Sequence, residues 1–301
     1  MKPSHSLVQI LLTVISIVLI ASVAHSDYAY YPYFTTFNYP GADRSHAFDI
    51  NNAGQIVGVY HDSSTRFYNG YLLSDGSYTS IEFPGAEGTY ARGINDAGQI
   101  VGSYIKKNIY GTYQTYGFLL SDGIYTSLGT RDLYDINNAG QVVDLHGILD
   151  EGIYTPINFP GAKGTRVFGI NDLGQIVGEY DDGINYHGFL LSDGDYTSIE
   201  FPIAKPLGVT ITRATSINNS GEIVGWYSDG ANQQGFVLIG DDYSPVNFGW
   251  LYGVNDKHIA IGQAGNRGLI MSLSPIPLPS TAWLLGYGLL SLIGWKRFRK
   301  G

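Results

Sequence analysis

The chain has 301 residues, with 17 Lys and Arg against 26 Asp and Glu, a net charge of −9, 40 Gly, 24 Tyr, 2 Met and no Cys. Without cysteine there is no disulfide framework, no thiolate metal site and no cysteine nucleophile, and the acidic balance argues against a general nucleic-acid binder, which needs a basic face for phosphates. At 44% hydrophobic and 14% charged, the chain has enough apolar material to fold; much Gly and Tyr with little Met points to strands and tight turns.

Residues 1–26 have the layout of a secretory signal peptide. Lys2 precedes an apolar run over 7–23, small residues follow, and Asp27 opens a polar, Tyr-rich stretch. Cleavage fits after Ala24, with Ser22 at −3, or after Ser26, with Ala24 at −3. The run is longer than a usual signal core, so an uncleaved anchor is the alternative.

Residues 27–274 repeat one unit. The phrase Ile-Asn-x-x-Gly-Gln-Ile-Val-Gly occurs at 50–58, 94–102, 136–144, 170–178 and 217–225, with a worn sixth copy at 254–262. Its Asn positions, 51, 95, 137, 171, 218 and 255, are 34 to 47 residues apart. A second phrase, Gly-Phe-Leu-Leu-Ser-Asp-Gly-x-Tyr-Thr-Ser-Ile-x-Phe-Pro, starts at Gly70, Gly117, Gly147, Gly188 and Gly235, with a stub at Gly268. Each unit reads as four short strands, as at 47–50, 55–60, 70–73 and 77–83, joined by Asn-x-Ala-Gly and Ser-Asp-Gly turns. The turn Asn is expected to accept a left-handed backbone and the Gly a positive φ. Such a sheet cannot bury both faces alone, so neighbouring units must stack.

A spacing near 40 residues with four strands per unit matches a propeller blade. The sixth copy stops at 271–273 without a fourth strand, and residues 33–42 align with the fourth strand of copy one. An open solenoid has no reason to be permuted in this way. The prediction is therefore an all-β fold, a six-bladed β-propeller of four-stranded blades whose ring is closed by the N-terminal strand, flanked by a signal peptide and a C-terminal transmembrane helix.

One rim should carry the nearly constant turns, which need no functional explanation. The other carries connections of variable length: from the Asn to the Gly of the next phrase the distances are 19, 22, 10, 17, 17 and 13 residues. Aromatic, Arg and carboxylate side chains there suit a sugar-binding surface. The candidates are Arg44, His61, Lys106, Tyr113, Arg166, Asp181 and Tyr186, with Arg92 and Arg213 read as part of the connections. Tyr60, Tyr104, Tyr180 and Tyr227 recur at one place in the unit and are read as packing between blades ahead of a binding role. There is no His-x-x-x-His or His-Glu-x-x-His pattern and no Gly-x-Ser-x-Gly elbow. The reading names no catalytic residue, metal or cofactor, and leans away from an enzyme. Two rim carboxylates meeting across the mouth for glycoside chemistry stay open.

The tail holds Pro277-Leu278-Pro279, an uncharged run over 280–295 and the basic cluster Lys296, Arg297, Arg299 and Lys300. As a helix the run would span roughly 24 Å, a little short of a bilayer core. The basic cluster would stay in the cytoplasm and put residues 27–275 outside. Five of the 17 basic residues lie in the two ends, and none of the 26 acidic ones does. The body therefore has 12 basic and 26 acidic residues, a net of −14.

That three-part tail resembles the PEP-CTERM sorting signal, with Leu278 where the usual motif has Glu. The resemblance implies an exosortase-type protease that cuts at the Pro-Leu-Pro region. It also implies transient anchoring in the inner membrane by the tail helix, then release to the cell envelope or extracellular matrix of an exopolysaccharide-producing bacterium. Over about 33–273 the repeats resemble the HAF-type extracellular repeat, literal at His46-Ala47-Phe48 and drifting to Ala91-Arg92-Gly93 and Val167-Phe168-Gly169. Together these imply an exported protein that binds or organises exopolysaccharide or biofilm matrix. The alternatives are an extracellular glycan hydrolase or lyase, and a structural or adhesive surface protein with protein partners. A nucleic-acid partner is not expected.

Overall fold

In the computed structural model, the residues described are 34–203 and 208–273, all within one unit, Pro32–Leu273. The predicted signal peptide, the Pro-Leu-Pro motif, the tail helix and the basic cluster lie outside them. Among the described residues no helix is long and apolar enough to cross a membrane.

The described residues form 24 strands, beginning with β1 (Phe34–Phe37). Copy one gives β2 (Arg44–Ile50), β3 (Ile56–His61), β4 (Asn69–Ser74) and β5 (Ser77–Ile81). Copy two gives β6 (Gly88–Ile94), β7 (Ile100–Lys107), β8 (Tyr113–Ser121) and β9 (Ile124–Ser127). Copy three gives β10 (Leu133–Ile136), β11 (Val142–Asp144), β12 (Gly147–Asp150) and β13 (Ile153–Pro156). Copy four gives β14 (Gly164–Ile170), β15 (Ile176–Asp181), β16 (Tyr186–Ser192) and β17 (Asp195–Ile199). Copy five gives β18 (Ile211–Ile217), β19 (Ile223–Ser228), β20 (Gln233–Ile239) and β21 (Asp242–Val246). Copy six gives β22 (Trp250–Val254), β23 (Ile259–Ala264) and β24 (Arg267–Ser272).

The result is an all-β, propeller-like fold. Copies one to three each make a four-stranded antiparallel sheet, and β22, β23, β24 and β1 make a fourth. Copies four and five share an eight-stranded sheet, joined by a single parallel pair, Tyr186↔Ile211. The N-terminal strand pairs antiparallel with β24, from Phe34↔Met271 to Phe37↔Gly268. The Ser-Asp-Gly hairpin takes positive φ at both central residues, 48° at Asp75 and 75° at Gly76, which matches the right-handed twist of the strands it joins.

Neighbouring copies share their cores, because each sheet presents an apolar face that it cannot bury alone. Val57 and Ile81 of copy one pack with Ala91, Ile94, Ile100 and Phe118 of copy two. The same positions recur for Val143 and Ile157 against Val167, Ile170 and Phe189. They recur for Val177 and Ile199 against Ala214, Ile217 and Phe236, and Ile261 of the last copy packs with Ala47, Ile50 and Tyr71 of the first. The recurrent tyrosines complete these contacts. Phe83 stacks on Tyr104, Phe159 on Tyr180, Phe201 on Tyr227 and Tyr39 on Tyr60, each at 3.7 Å between ring centres.

Each copy's first strand carries a bulge. The register slips between Ala47 and Asp49, Ala91 and Gly93, Leu133 and Asp135, Val167 and Gly169, Ala214 and Ser216, and Leu251 and Gly253. A bulge bends its strand and re-aims a side chain, and it carries the strand's carbonyl close over the final Gly of the repeated phrase. A Cβ on Gly102 would stand 1.9 Å from the Tyr90 carbonyl oxygen. Copy three has Asp144 at that place, and its strands are short: β10 has 4 residues and β11 has 3, against 7 in β2, β6, β14 and β18.

Candidate functional site

The first strands of all copies converge on one axial channel, and successive residues along them line it at successive levels. One mouth is a cup of about 220 Å³ lined by Phe48, Arg92, Tyr134, Phe168, Arg213, Thr215, Trp226 and Tyr252. Six of these are the bulge residues, one from each copy, three places before the repeated Asn. Thr215 is the small member. Its hydroxyl turns away to the carbonyls of Val224 and Leu251, at 3.0 and 2.9 Å, and Trp226 of β19 fills the side it leaves.

Rings and guanidinium groups interleave around the cup. Arg92 lies over Tyr134 at 4.7 Å and Phe48 at 5.5 Å, and Arg213 over Trp226 at 4.7 Å and Phe168 at 4.8 Å. Phe48 meets Tyr252 edge-on at 5.7 Å, and Tyr134 meets Phe168 at 5.6 Å. Burial raises the phenols of Tyr134 and Tyr252 above their ordinary value, so both stay neutral hydroxyl donors.

The two arginines are held differently. Arg213 donates from Nε and from one terminal nitrogen to the two oxygens of Glu179, both at 2.8 Å. Glu179 is 1% exposed and also accepts from Arg166 at 2.9 Å. Arg92 has Asp132 at 3.4 Å as its counter-ion, yet its buried Nε has no hydrogen-bond acceptor.

One residue further along, Asp49, Gly93, Asp135, Gly169, Ser216 and Gly253 alternate around the axis. Asp49 accepts from Ile50 N and, across to the next copy, Ile94 N, both at 2.8 Å. Asp135 does the same with Ile136 N and Ile170 N at 2.8 and 2.9 Å. The intervening glycines are steric. A Cβ on Gly93 would lie 2.7 Å from Asp135 Cα, and one on Gly253 would lie 3.0 Å from Asp49 Cα. Both carboxyls sit deep in protein with part of their surface open to the channel. Burial raises Asp49 to about 6, against the pull of its two backbone donors. Burial, and then the charge of Asp49, raises Asp135 well above its ordinary value.

Beyond them lies a closed circuit of amides. The Asn51 side chain donates to Asn95 O, Asn95 to Asn137 O, Asn137 to Asn171 O, Asn171 to Asn218 O, Asn218 to Asn255 O and Asn255 back to Asn51 O, at 3.0–3.2 Å. These asparagines do not take the left-handed backbone expected of them. Among the described residues, the positive-φ residues other than Gly are Asp75, Asp122, Glu151, Asp193 and His258. Asn is required as a hub: the Asn137 oxygen accepts from Ala139 N and Gln141 N while its amide donates twice.

At the other mouth Asn52, Asp96, Asn138, Asp172, Asn219 and Asp256 alternate, each accepting a backbone N–H from its neighbour. Burial works to raise Asp96, but the donors of Asn52 and Asn138 outweigh it and hold the carboxyl low. Among the described residues no group of three or more His, Cys, Asp or Glu has a geometry that would hold a metal.

The rim candidates fall into separate patches. Arg166, Asp181 and Tyr186 share one recess of about 250 Å³ with His146 and Glu179. Arg44 and His61 are cross-strand partners in copy one, where His61 pairs with Asp43 at 3.1 Å. Lys106 and Tyr113 belong to β7 and β8, with Arg66 lying over Tyr113 at 4.9 Å. A further recess of about 660 Å³ opens over the short copy three, lined by Arg131, Asp132, Asp144, His146 and Tyr154 among others. Asp144 organises it, accepting from Arg131 at 2.8 Å and Tyr154 at 2.8 Å. Arg92 and Arg213, read as connection residues, lie within β6 and β18 and face the axis.

Comparison with known proteins finds no matching family model and no matching curated protein. Among solved structures the chain is similar to TolB from Acinetobacter baumannii, at 14% identity, over 76% of this chain and 54% of that one, with a TM-score of 0.48. It is also similar to a prolyl endopeptidase, at 10% identity, over 80% and 43% of the two chains, TM-score 0.46. A third is the Aleuria aurantia lectin, at 10% identity, over 81% and 99%, TM-score 0.43. The chain spans about half the length of the first two. These likenesses concern the fold alone.

Proposed function

We propose that this is an exported, six-bladed propeller that binds exopolysaccharide in the cell envelope or matrix, with the axial cup as its binding site. The observation that carries the reading is the cup itself: six bulges aim side chains to one point, and the convergent set is rings interleaved with guanidinium groups. Rings offer apolar faces to a sugar, and the guanidinium and phenol groups offer hydrogen-bond donors. The six-blade count is supported by the amide circuit returning from Asn255 to Asn51 and by β1 pairing with β24. A binding role is favoured over hydrolysis because the nearby carboxyls are all engaged: Asp132 and Glu179 in arginine pairs, and Asp49 and Asp135 each by two backbone N–H donors. Glycan arrays and pull-downs with the purified protein test the reading. Binding to matrix polysaccharide should fall on Trp226→Ala, and retention of protein partners without any glycan would refute it.

Export and sorting rest on the ends of the sequence. The apolar run at 7–23 and the Pro277-Leu278-Pro279, apolar and basic order of the tail support a signal peptide and an exosortase-processed anchor. Replacing Pro277 and Pro279 in a host with an exosortase should leave the tail attached. A mature mass unchanged by that replacement would refute the sorting proposal.

A further inference from the structure

Resting on the reading that the cup binds glycan, we propose that its ligand is an acidic one. The cup takes a carboxylate-bearing sugar residue, with Arg92 as its counter-ion, and the glycan chain leaves over the recess above copy three.

The two cup arginines make the distinction. Arg213 has its fork occupied by Glu179 through two bonds at 2.8 Å. Arg92 makes no side-chain hydrogen bond among the described residues, and its nearest carboxylate oxygen, on Asp132, lies at 3.4 Å from Nε. The rings of Tyr134, Phe48 and Tyr90 hold the Arg92 guanidinium in place, at 4.7, 5.5 and 5.7 Å, but a ring face satisfies none of its five N–H donors. A partly buried guanidinium with an unused fork is complementary to a planar carboxylate, which accepts two parallel bonds. A neutral sugar offers the fork only hydroxyl oxygens, whose single bonds are weaker than the charge-assisted pair that a carboxylate makes.

The size and surroundings of the cup agree. At about 220 Å³ it is smaller than pockets for drug-sized ligands and suits one ring of a polymer. The rest of the polymer needs a way out, and copy three provides it, because β10 begins only at Leu133 and β11 stops at its partner Asp144. Asp132, the partner of Arg92, lines the recess over copy three, and Glu179, the partner of Arg213, lines the neighbouring one. Arg131 and Arg166 stand in these recesses, paired with Asp144 and Glu179, so each recess holds an arginine already balanced by a carboxylate. The net −14 of the body opposes a polyanion only at long range. At physiological ionic strength charges beyond about 8 Å are screened, which leaves the local pairs to decide: Glu179 occupies the fork of Arg213, and Asp132 makes no hydrogen bond with Arg92.

The test uses the full-length protein and calorimetric titration with oligomers of galacturonate, glucuronate and mannuronate, their methyl esters, and a neutral glucan. The expected result is that an oligouronate binds and its methyl ester binds at least roughly tenfold more weakly. Arg92→Gln should weaken uronate binding by a larger factor than ester binding and so remove that difference. Arg92→Lys should restore only part of it, and Asp132→Asn should tighten uronate binding. Esters or glucan binding as well as uronates to the wild-type protein, or Arg92→Gln weakening acid and ester alike, would overturn the acidic ligand and leave the glycan reading standing. Binding of none of these oligomers would overturn both. If Arg92→Gln does not fold, as judged by circular dichroism, the Asp132→Asn result decides, and unchanged or weaker uronate binding there counts against the proposal.

Discussion

Removing one amide from the axial circuit should destabilise the whole protein, and Asn137→Ala isolates the effect. The Asn137 side chain makes four hydrogen bonds: it accepts from Ala139 N at 3.1 Å and Gln141 N at 3.0 Å, and donates to Gln141 Oε1 at 2.8 Å and Asn171 O at 3.1 Å. Asn137 is 3% exposed, so water does not readily replace it. At about 1 kcal/mol net per bond the loss is roughly 4 kcal/mol. That is a large part of a stability of about 5–15 kcal/mol. For a domain of this size it lowers Tm by roughly 8–16 °C. Thermal and urea melts followed by circular dichroism measure it, with Asn138→Ala as the control. Asn138 is exposed at the channel mouth, and its loss should cost about 1 kcal/mol. Asn137→Asp keeps the accepting oxygen but sets a carboxylate oxygen against Asn171 O and Gln141 Oε1, so it should be at least as damaging. An Asn137→Ala protein that melts with the wild type, or an Asn138→Ala protein that loses as much, would refute the circuit as a source of stability.

Three further outcomes are expected. Asp49 is raised to about 6 from an ordinary 3.8, so the folded protein keeps a proton that the unfolded chain releases. Stability is then fullest below about pH 4 and is lost as pH rises towards and through 6; Asp49→Asn, which leaves Asp135 raised by its own burial, should lessen the slope of melts taken between pH 4 and 7. Glu179→Gln removes the shared charge from between Arg166 and Arg213 and should cost about 3 kcal/mol by urea titration, the low end for a buried pair because Arg166 is 47% exposed. Deleting residues 34–37 unpairs β24 over four register positions and exposes an edge. Melts should broaden and light scattering should rise on heating, and a wild-type melt would show that this strand is dispensable.

The strands were legible because the hairpins on one rim are announced by recurring turns. Ser-Asp-Gly and Asn-x-Ala-Gly recur, and the likeness of residues 33–42 to the fourth strand of copy one anticipated the pairing of β1 with β24. The cup was not legible. Strict alternation assigns each residue to one face, and a bulge breaks that assignment at one place. Phe48, as the last residue of His-Ala-Phe, and Arg92 and Phe168, as the middle of its drifted copies, therefore stood in plain view with no sign that they met. The signal was there in another form: the position three before the Asn reads Phe, Arg, Tyr, Phe, Thr, Tyr, between an apolar position and one that alternates Asp or Ser with Gly. Arg213 was assigned to a connection because β18 starts two residues before it, at Ile211. The short spacing in copy three was visible as a loop length, but a recess exists only once longer neighbours stand beside it.

The alternation along the axis carries a rule of parity. Asp49, Asp135 and Ser216 stand between glycines, and Asn52, Asn138 and Asn219 stand between aspartates. Each side chain that crosses the axis therefore needs an empty neighbour, and each carboxylate needs an amide on both sides. A ring with an odd number of copies cannot keep that alternation all the way round: at each level two like neighbours would meet, and an aspartate beside an aspartate would lose a donor. Strict alternation is kept only by adding or removing copies in pairs, so the packing repeat is the pair, twice the unit visible in the strands.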